Sequence, residues 1–122
     1  DNSFDAIVCF GVLQHLLRKE RETAVCEFER VLKPGGMIFL EVFGIEDMRY
    51  GGEEVEEHTF VRQSGIIYHY FTKEELQNLF SGFSTNNIND VITKKIFKGE
   101  SYTRHMVNGI IQKVSESDTK IS

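Results

Sequence analysis

The sequence is short of several features that would place a protein quickly. Its 122 residues include only two cysteines, Cys9 and Cys26, far apart and outside any CxxC spacing. That excludes a zinc ribbon and a disulfide scaffold, and both thiols read as buried small hydrophobes. Free thiols suit a reducing, cytoplasmic setting. The apolar runs are no longer than a strand, so no membrane-spanning segment is expected. There is no internal repeat and no low-complexity tract. A basic stripe is missing too: 14 Lys and Arg are scattered among 19 Asp and Glu, giving a formal charge of −5. On that ground nucleic acid is not expected as a partner.

What is present is a change of hydrophobic period along the chain. Phe4–Phe10 is almost continuously apolar, as in a strand covered on both faces of a parallel sheet. From about residue 19 to 32 the period becomes helical, with Ala24, Phe28, Val31 and Leu32 recurring between charges. Glu20 and Glu22 sit early in that helix and Arg30 and Lys33 late, which complements its dipole. Pro34, the only proline, cannot continue the helix, and Gly35 or Gly36 is expected to supply the left-handed closing turn. Residues 37–43 then read as a second buried strand. Strand, helix and strand in about forty residues make a βαβ unit, which implies parallel pairing.

Residues 44–70 are expected to form a long irregular segment, with Glu53, Glu54, Glu56 and Glu57 set among aromatics and glycines. Thr72 and Glu75 have capping-box spacing before a second helix, with Phe71 and Leu76 placed as a hydrophobic staple. Leu79 and Phe80 continue its buried face. Residues 83–93 and 104–113 read as two further strands, antiparallel to each other across a link at 94–103. From 115 onward the sequence is a polar tail. The chain is one domain or part of one.

Three stretches together carry a family resemblance. Asp1-Asn2-Ser3-Phe4-Asp5-Ala6-Ile7-Val8, then Val12-Leu13-Gln14-His15-Leu16, then Val31-Leu32-Lys33-Pro34-Gly35-Gly36 resemble the second half of a class I S-adenosylmethionine-dependent methyltransferase. Residues 48–61 and 68–80 are similar to a small-molecule or tellurite-resistance-like subgroup of it. The resemblance implies an α/β fold, a partial doubly wound Rossmann-like sheet whose parallel strands end in an antiparallel hairpin. The family's first strand and its glycine-rich, cofactor-cradling loop have no counterpart. Residues 1–114 are therefore expected to be a C-terminal part of the domain, and Phe4–Phe10 to present an unpaired edge through which the chain self-associates.

Ligands of parallel α/β sheets lie beyond the carboxyl ends of the strands. The resemblance assigns Phe10, Gly11 and Val12 to one wall of an S-adenosylmethionine pocket. His15 and His69 are the candidates for orienting an acceptor or taking its proton; ordinary structural roles are the alternative for both. Arg49, Tyr50, Tyr70 and Tyr102 are candidate substrate contacts. Thr59 and Phe60 lie in the same segment, and Arg104 and His105 near the hairpin. The acidic run with His58 has no fixed coordination geometry and is read as solvated, so no metal is expected. The function implied is methyl transfer to a small-molecule acceptor. A non-catalytic methyltransferase-like interaction module is the alternative.

Overall fold

The computed structural model describes residues 1–114; the polar tail expected at 115–122 lies outside them. Four strands form the main sheet in the order β1-β2-β7-β6, and three short ones form a separate sheet, β3-β4-β5. These strands are β1 (Phe4–Phe10), β2 (Leu32–Phe43), β3 (Glu53–Glu56), β4 (Thr59–Val61), β5 (Ile67–His69), β6 (Phe83–Phe97) and β7 (Glu100–Lys113). Helix α1 (Arg18–Val31) connects the parallel pair β1 and β2, and α2 (Lys73–Leu79) leads into β6. β7 is antiparallel to both β2 and β6, so β6 runs in the direction of β2. The expected α/β sheet, parallel first and closing on an antiparallel hairpin, is what the chain forms.

The core lies on one face of that sheet. Ile38, Leu40 and Val42 alternate inward from β2 and meet Val25 of α1, Leu76 and Phe80 around α2, and Val107 and Ile111 of β7. The alternating partners, Met37 and Ile110, stay exposed on the other face. β1 is an edge strand, with Phe4, Val8 and Phe10 more than half exposed.

Four local expectations change. The α1 helix does not close on a left-handed glycine. Leu32, its C-cap, is already extended at φ −77° and ψ 140°, two residues before Pro34, which disfavours helical backbone at Lys33 and has no N–H to continue the helical ladder. Gly35, at φ +85°, instead serves a bulge that lets the register jump from Phe4↔Leu32 to Ala6↔Met37. Second, residues 44–70 are not one irregular loop, since they contain the β3-β4-β5 meander. Third, the Thr72 hydroxyl accepts the Glu75 N–H at 3.0 Å, while the Glu75 carboxylate turns to His69 instead of completing the box. Fourth, the final hairpin has no ten-residue link. Lys98 and Gly99, with φ of +52° and +79°, form a two-residue turn, and the strands run to Phe97 and from Glu100.

Candidate functional site

The carboxyl ends of β1 and β2 lie side by side, with Met106 and Val107 of β7 next to the end of β2. Beyond β1 the chain turns at Gly11, whose φ of +72° is a backbone state that L side chains rarely adopt. The Gly11 N–H donates to the Glu41 carbonyl at 3.0 Å, extending the β1–β2 ladder by one bond. A short 3-10 turn, Leu13–His15, follows. It is anchored by buried Leu13 and by Gln14, whose Oε1 accepts the Phe43 N–H at 3.1 Å. Phe10 and Val12, the side chains flanking Gly11, are 59% and 50% exposed. The three residues expected to wall a cofactor thus form an apolar ledge on a pinned backbone at the sheet edge.

His15 follows on the same turn. Its Nδ1 lies 2.9 Å from the Ile67 carbonyl, so Nδ1 carries the proton and donates. Nε2 is left with the lone pair. The ring stands edge-on to Tyr68 with centroids 4.9 Å apart, and these contacts fasten the turn to β5.

The other expected catalytic residue sits differently. His69 is 2% exposed, with Nδ1 2.7 Å from the Thr59 hydroxyl and Nε2 2.6 Å from Glu75 Oε2. Glu75 also faces Arg21 at 3.8 Å, and Arg21 lies over the Phe71 ring. Burial pulls the Arg21 pKa down, opposed by the nearby Glu75 and Glu56 carboxylates. Both nitrogens of His69 are spent inside the protein, tying β5 to α2 and, through Glu75, to α1.

The four expected substrate contacts do not converge on one point. Tyr70 is fully buried and donates from its hydroxyl to the Arg49 carbonyl at 2.8 Å; Arg62 donates to the same carbonyl. Tyr70 also packs among Phe43, Tyr50 and Phe60. Tyr50 is at the edge of that cluster, with its hydroxyl 2.7 Å from His58 Nδ1. Burial, then Glu54 and Glu57, raise its pKa. The Arg49 side chain is exposed. Tyr102 lies apart, on the hairpin, and donates to Glu100. Among the described residues no group of three or more His, Cys, Asp or Glu is arranged to hold a metal ion, and Glu53–Glu56 is simply strand β3. No described helix is long and apolar enough to cross a membrane.

Just past β2 stands a hub centred on Asp47, a residue the sequence did not single out, around which two named candidates, Arg104 and His105, gather. Asp47, 3% exposed, accepts from Arg104 Nε at 2.8 Å, the His105 N–H at 2.9 Å and the Arg49 N–H at 3.1 Å. His105 Nδ1 accepts the Glu46 N–H, which leaves its proton on Nε2, 2.8 Å from Asp90 Oδ1. The His105 ring covers Gly44 so closely that a Cβ there would lie 2.2 Å from it. The Arg104 guanidinium lies over Phe43, 5.7 Å from the ring centre. Asp47 follows a strand by four residues and has no motif around it. Its β7 partners lie 57 and 58 positions away, and the one local contact, to the Arg49 N–H, does not reveal them.

Comparison with known proteins gives these features a context. A sequence family described as a methyltransferase domain matches residues 1–40, the span from β1 into β2. The chain is 27% identical over 113 residues to the tRNA N(3)-cytidine methyltransferase METTL2 of Bos taurus, and 29% identical over 113 residues to that of Danio rerio. Each match covers 88% of this chain, and 30% and 32% of those proteins respectively. A S-adenosylmethionine-dependent methyltransferase structure from Methanosarcina mazei superposes with a TM-score of 0.72 at 29% identity. That match covers 95% of this chain and 62% of the archaeal one. The chain therefore spans about a third of the curated relatives' length.

The METTL2 proteins are named for a nucleic-acid substrate, and this overturns the expectation that nucleic acid is no partner. The error lay in reading total charge. A phosphate backbone responds to the cations within a Debye length of it, about 8 Å at physiological salt, and a formal −5 averages over the whole surface.

Proposed function

We propose that the chain is part of a class I S-adenosylmethionine-dependent methyltransferase and that it serves methyl transfer to a ring nitrogen of a nucleobase in RNA, with cytidine as the acceptor base. The observation that carries the cofactor half is the Phe10-Gly11-Val12 ledge at the carboxyl end of β1. The acceptor half rests on the METTL2 likeness.

The ledge fits the cofactor. A glycine with φ +72° presents bare backbone where a Cβ would be strained, and the exposed Phe10 and Val12 offer apolar surface to an adenine ring or a thioether chain. S-adenosylmethionine, when bound, supplies a methyl group already activated on a sulfonium. What remains for the protein is alignment and exclusion of water. Gln14 holds the ledge against the end of β2 by taking the Phe43 N–H, so the ledge moves with the sheet.

The N3 atom of cytosine carries a lone pair at neutral pH, so this acceptor needs no general base. That changes the task assigned to His15. With its proton fixed on Nδ1 by the Ile67 carbonyl, its Nε2 is an acceptor, suited to taking a hydrogen bond from an exocyclic amino group beside the reacting nitrogen. His69, with both nitrogens engaged, keeps the meander in place. Two free thiols support a reducing compartment such as the cytoplasm.

The test is to incubate the intact protein with isotopically labelled S-adenosylmethionine and unmodified tRNA transcripts, then digest to nucleosides and analyse by mass spectrometry. Labelled 3-methylcytidine is the expected product. Gly11→Val should weaken cofactor binding by calorimetry at least tenfold, and His15→Ala should lower turnover with cofactor binding intact. Labelling of small acceptors without RNA would move the acceptor to another class. Failure to bind S-adenosylmethionine would support the non-catalytic module instead.

A further inference from the structure

β6 and β7 are longer than the sheet they belong to. β2 pairs with β7 only from Met106 to Gln112, whereas the β6–β7 ladder continues from Val91↔Met106 to Phe97↔Glu100. Six rungs, from Ile92↔His105 to Phe97↔Glu100, thus project past the end of β2. Since β6 runs in the direction of β2, they project from the edge that carries the Phe10-Gly11-Val12 ledge. Every residue from 91 to 100 is exposed. Ile96 is 79% exposed and Phe97 63%, although both lie in a two-stranded ribbon that has no core of its own to bury them.

The composition of this arm differs from that of the rest of the chain. Residues 91–104 hold four cations, Lys94, Lys95, Lys98 and Arg104, against one carboxylate, Glu100, in a protein of formal charge −5. Register sorts them. Residues directly opposite in an antiparallel pair share a face, and successive residues alternate faces. One face therefore carries Thr93 with Arg104, Lys95 with Tyr102, and Phe97 with Glu100. Lys98, in the turn, lies over the Phe97 ring at 5.5 Å from its centre. Cations and aromatic rings thus interleave along one side of the arm, from its exposed tip to Arg104, which is anchored on Asp47 beside β2.

Lysines at ribbon spacing beside aromatic rings, here the exposed Phe97 and the half-buried Tyr102, are the combination that holds single-stranded nucleic acid: the charges track phosphates and the rings stack on bases. We propose that the β6–β7 hairpin is an RNA-binding arm that takes a single-stranded loop on its Lys95, Phe97, Lys98 and Tyr102 face and delivers a base to the site at the carboxyl ends of β1 and β2. This rests on the RNA acceptor proposed above and assigns a surface to it. Charge complementarity selects the occupant: an acidic peptide would use the lysines but leave the rings without a stacking partner.

The experiment measures binding of a fluorescein-labelled unmodified tRNA transcript to the intact protein by anisotropy, from 50 to 300 mM KCl. Calorimetry with S-adenosylmethionine runs alongside. The Lys95→Ala/Lys98→Ala variant should bind about tenfold more weakly at 100 mM salt. Its slope of log affinity against log salt should be shallower by about 1.5 to 2, roughly one released counterion per lysine. Lys95→Arg/Lys98→Arg should restore both. Phe97→Ala should weaken binding with the slope unchanged, and cofactor binding should be the same in every variant. If the lysine variant methylates and binds RNA like the parent, with the same slope, the arm is overturned while the RNA acceptor stands. If the parent protein binds no RNA at any salt, the acceptor reading falls and the arm falls with it.

Discussion

Gly44 shows how one absent methyl group positions a whole end of the sheet. Its N–H donates to the His105 carbonyl at 2.8 Å and the His105 ring occupies the space a Cβ would take, so the chain just past β2 approaches β7 more closely than any side chain would allow. Through that ring, Glu46 and Asp90 are held on either side of β7. Gly44→Ala should therefore destabilise the fold by about 2 kcal/mol, the usual cost of overpacking a filled site. The clash is with an imidazole, which makes a sharp test by double-mutant cycle in urea. In a His105→Ala background the same glycine substitution should cost less than about 0.5 kcal/mol, giving a coupling well above the error of additivity. Equal costs in both backgrounds would mean that the ring is not what excludes the Cβ. The site residues divide along the same line. Gly11 announces itself as a glycine ending an apolar strand. Asp47, which the sequence did not mark, owes its importance to contacts with Arg104 and His105 formed only after the chain has folded.

At the level of elements, legibility followed the range of the forces. β1, α1 and α2 were readable because period, dipole complementarity and Thr72 are local. Thr72 caps α2 through the Glu75 N–H, as its spacing suggests. Replacing it with Ala should cost about 1 kcal/mol, while Ser should retain most of the stability; denaturant midpoints at constant m-value would check this, and indifference to Thr72→Ala would show the cap to be redundant. The second half of the expected box failed because a buried imidazole competes for Glu75 more strongly than a backbone N–H at a solvated helix end. Leu17 shows the converse: its N–H finds the Glu20 carboxylate at 3.0 Å, a return contact that nothing in a leading leucine suggests. The β3-β4-β5 meander was hidden for another reason. Its strands are three or four residues long, below the length at which alternation declares itself. The hairpin turn was misread because Lys98 at positive φ is an unusual occupant, where Asn or Asp would have signalled the type.

For the molecule as a whole, the titrating groups that burial perturbs set the direction in which pH acts. Burial raises the pKa of Cys9, opposed by a weaker hydrogen bond from the Leu13 backbone, and burial with the Glu54 and Glu57 charges raises that of Tyr50. A raised pKa means that the folded state favours the neutral thiol or phenol more than the unfolded chain does. The stabilisation is then complete below the unfolded value, about 8.5 for a thiol and about 10 for a phenol. It is lost as pH climbs from there through the folded value, because the unfolded chain releases its proton first. The melting temperature should accordingly hold level near neutrality and fall above about pH 8.5. Cys9→Ala should remove the earlier part of that fall without touching the later part, and Tyr50→Phe the later part without the earlier. Cys26, exposed on α1, supplies the internal control: Cys26→Ala should leave the profile unchanged, and iodoacetamide at pH 8 should label Cys26 well before Cys9. A melting temperature that rises between pH 8 and 10, or labelling of both thiols at one rate, would mean that Cys9 is not held neutral by burial. In that event the packing of β1 against Leu13, which fixes the Phe10-Gly11-Val12 ledge, would be looser than its 3% and 0% exposures imply.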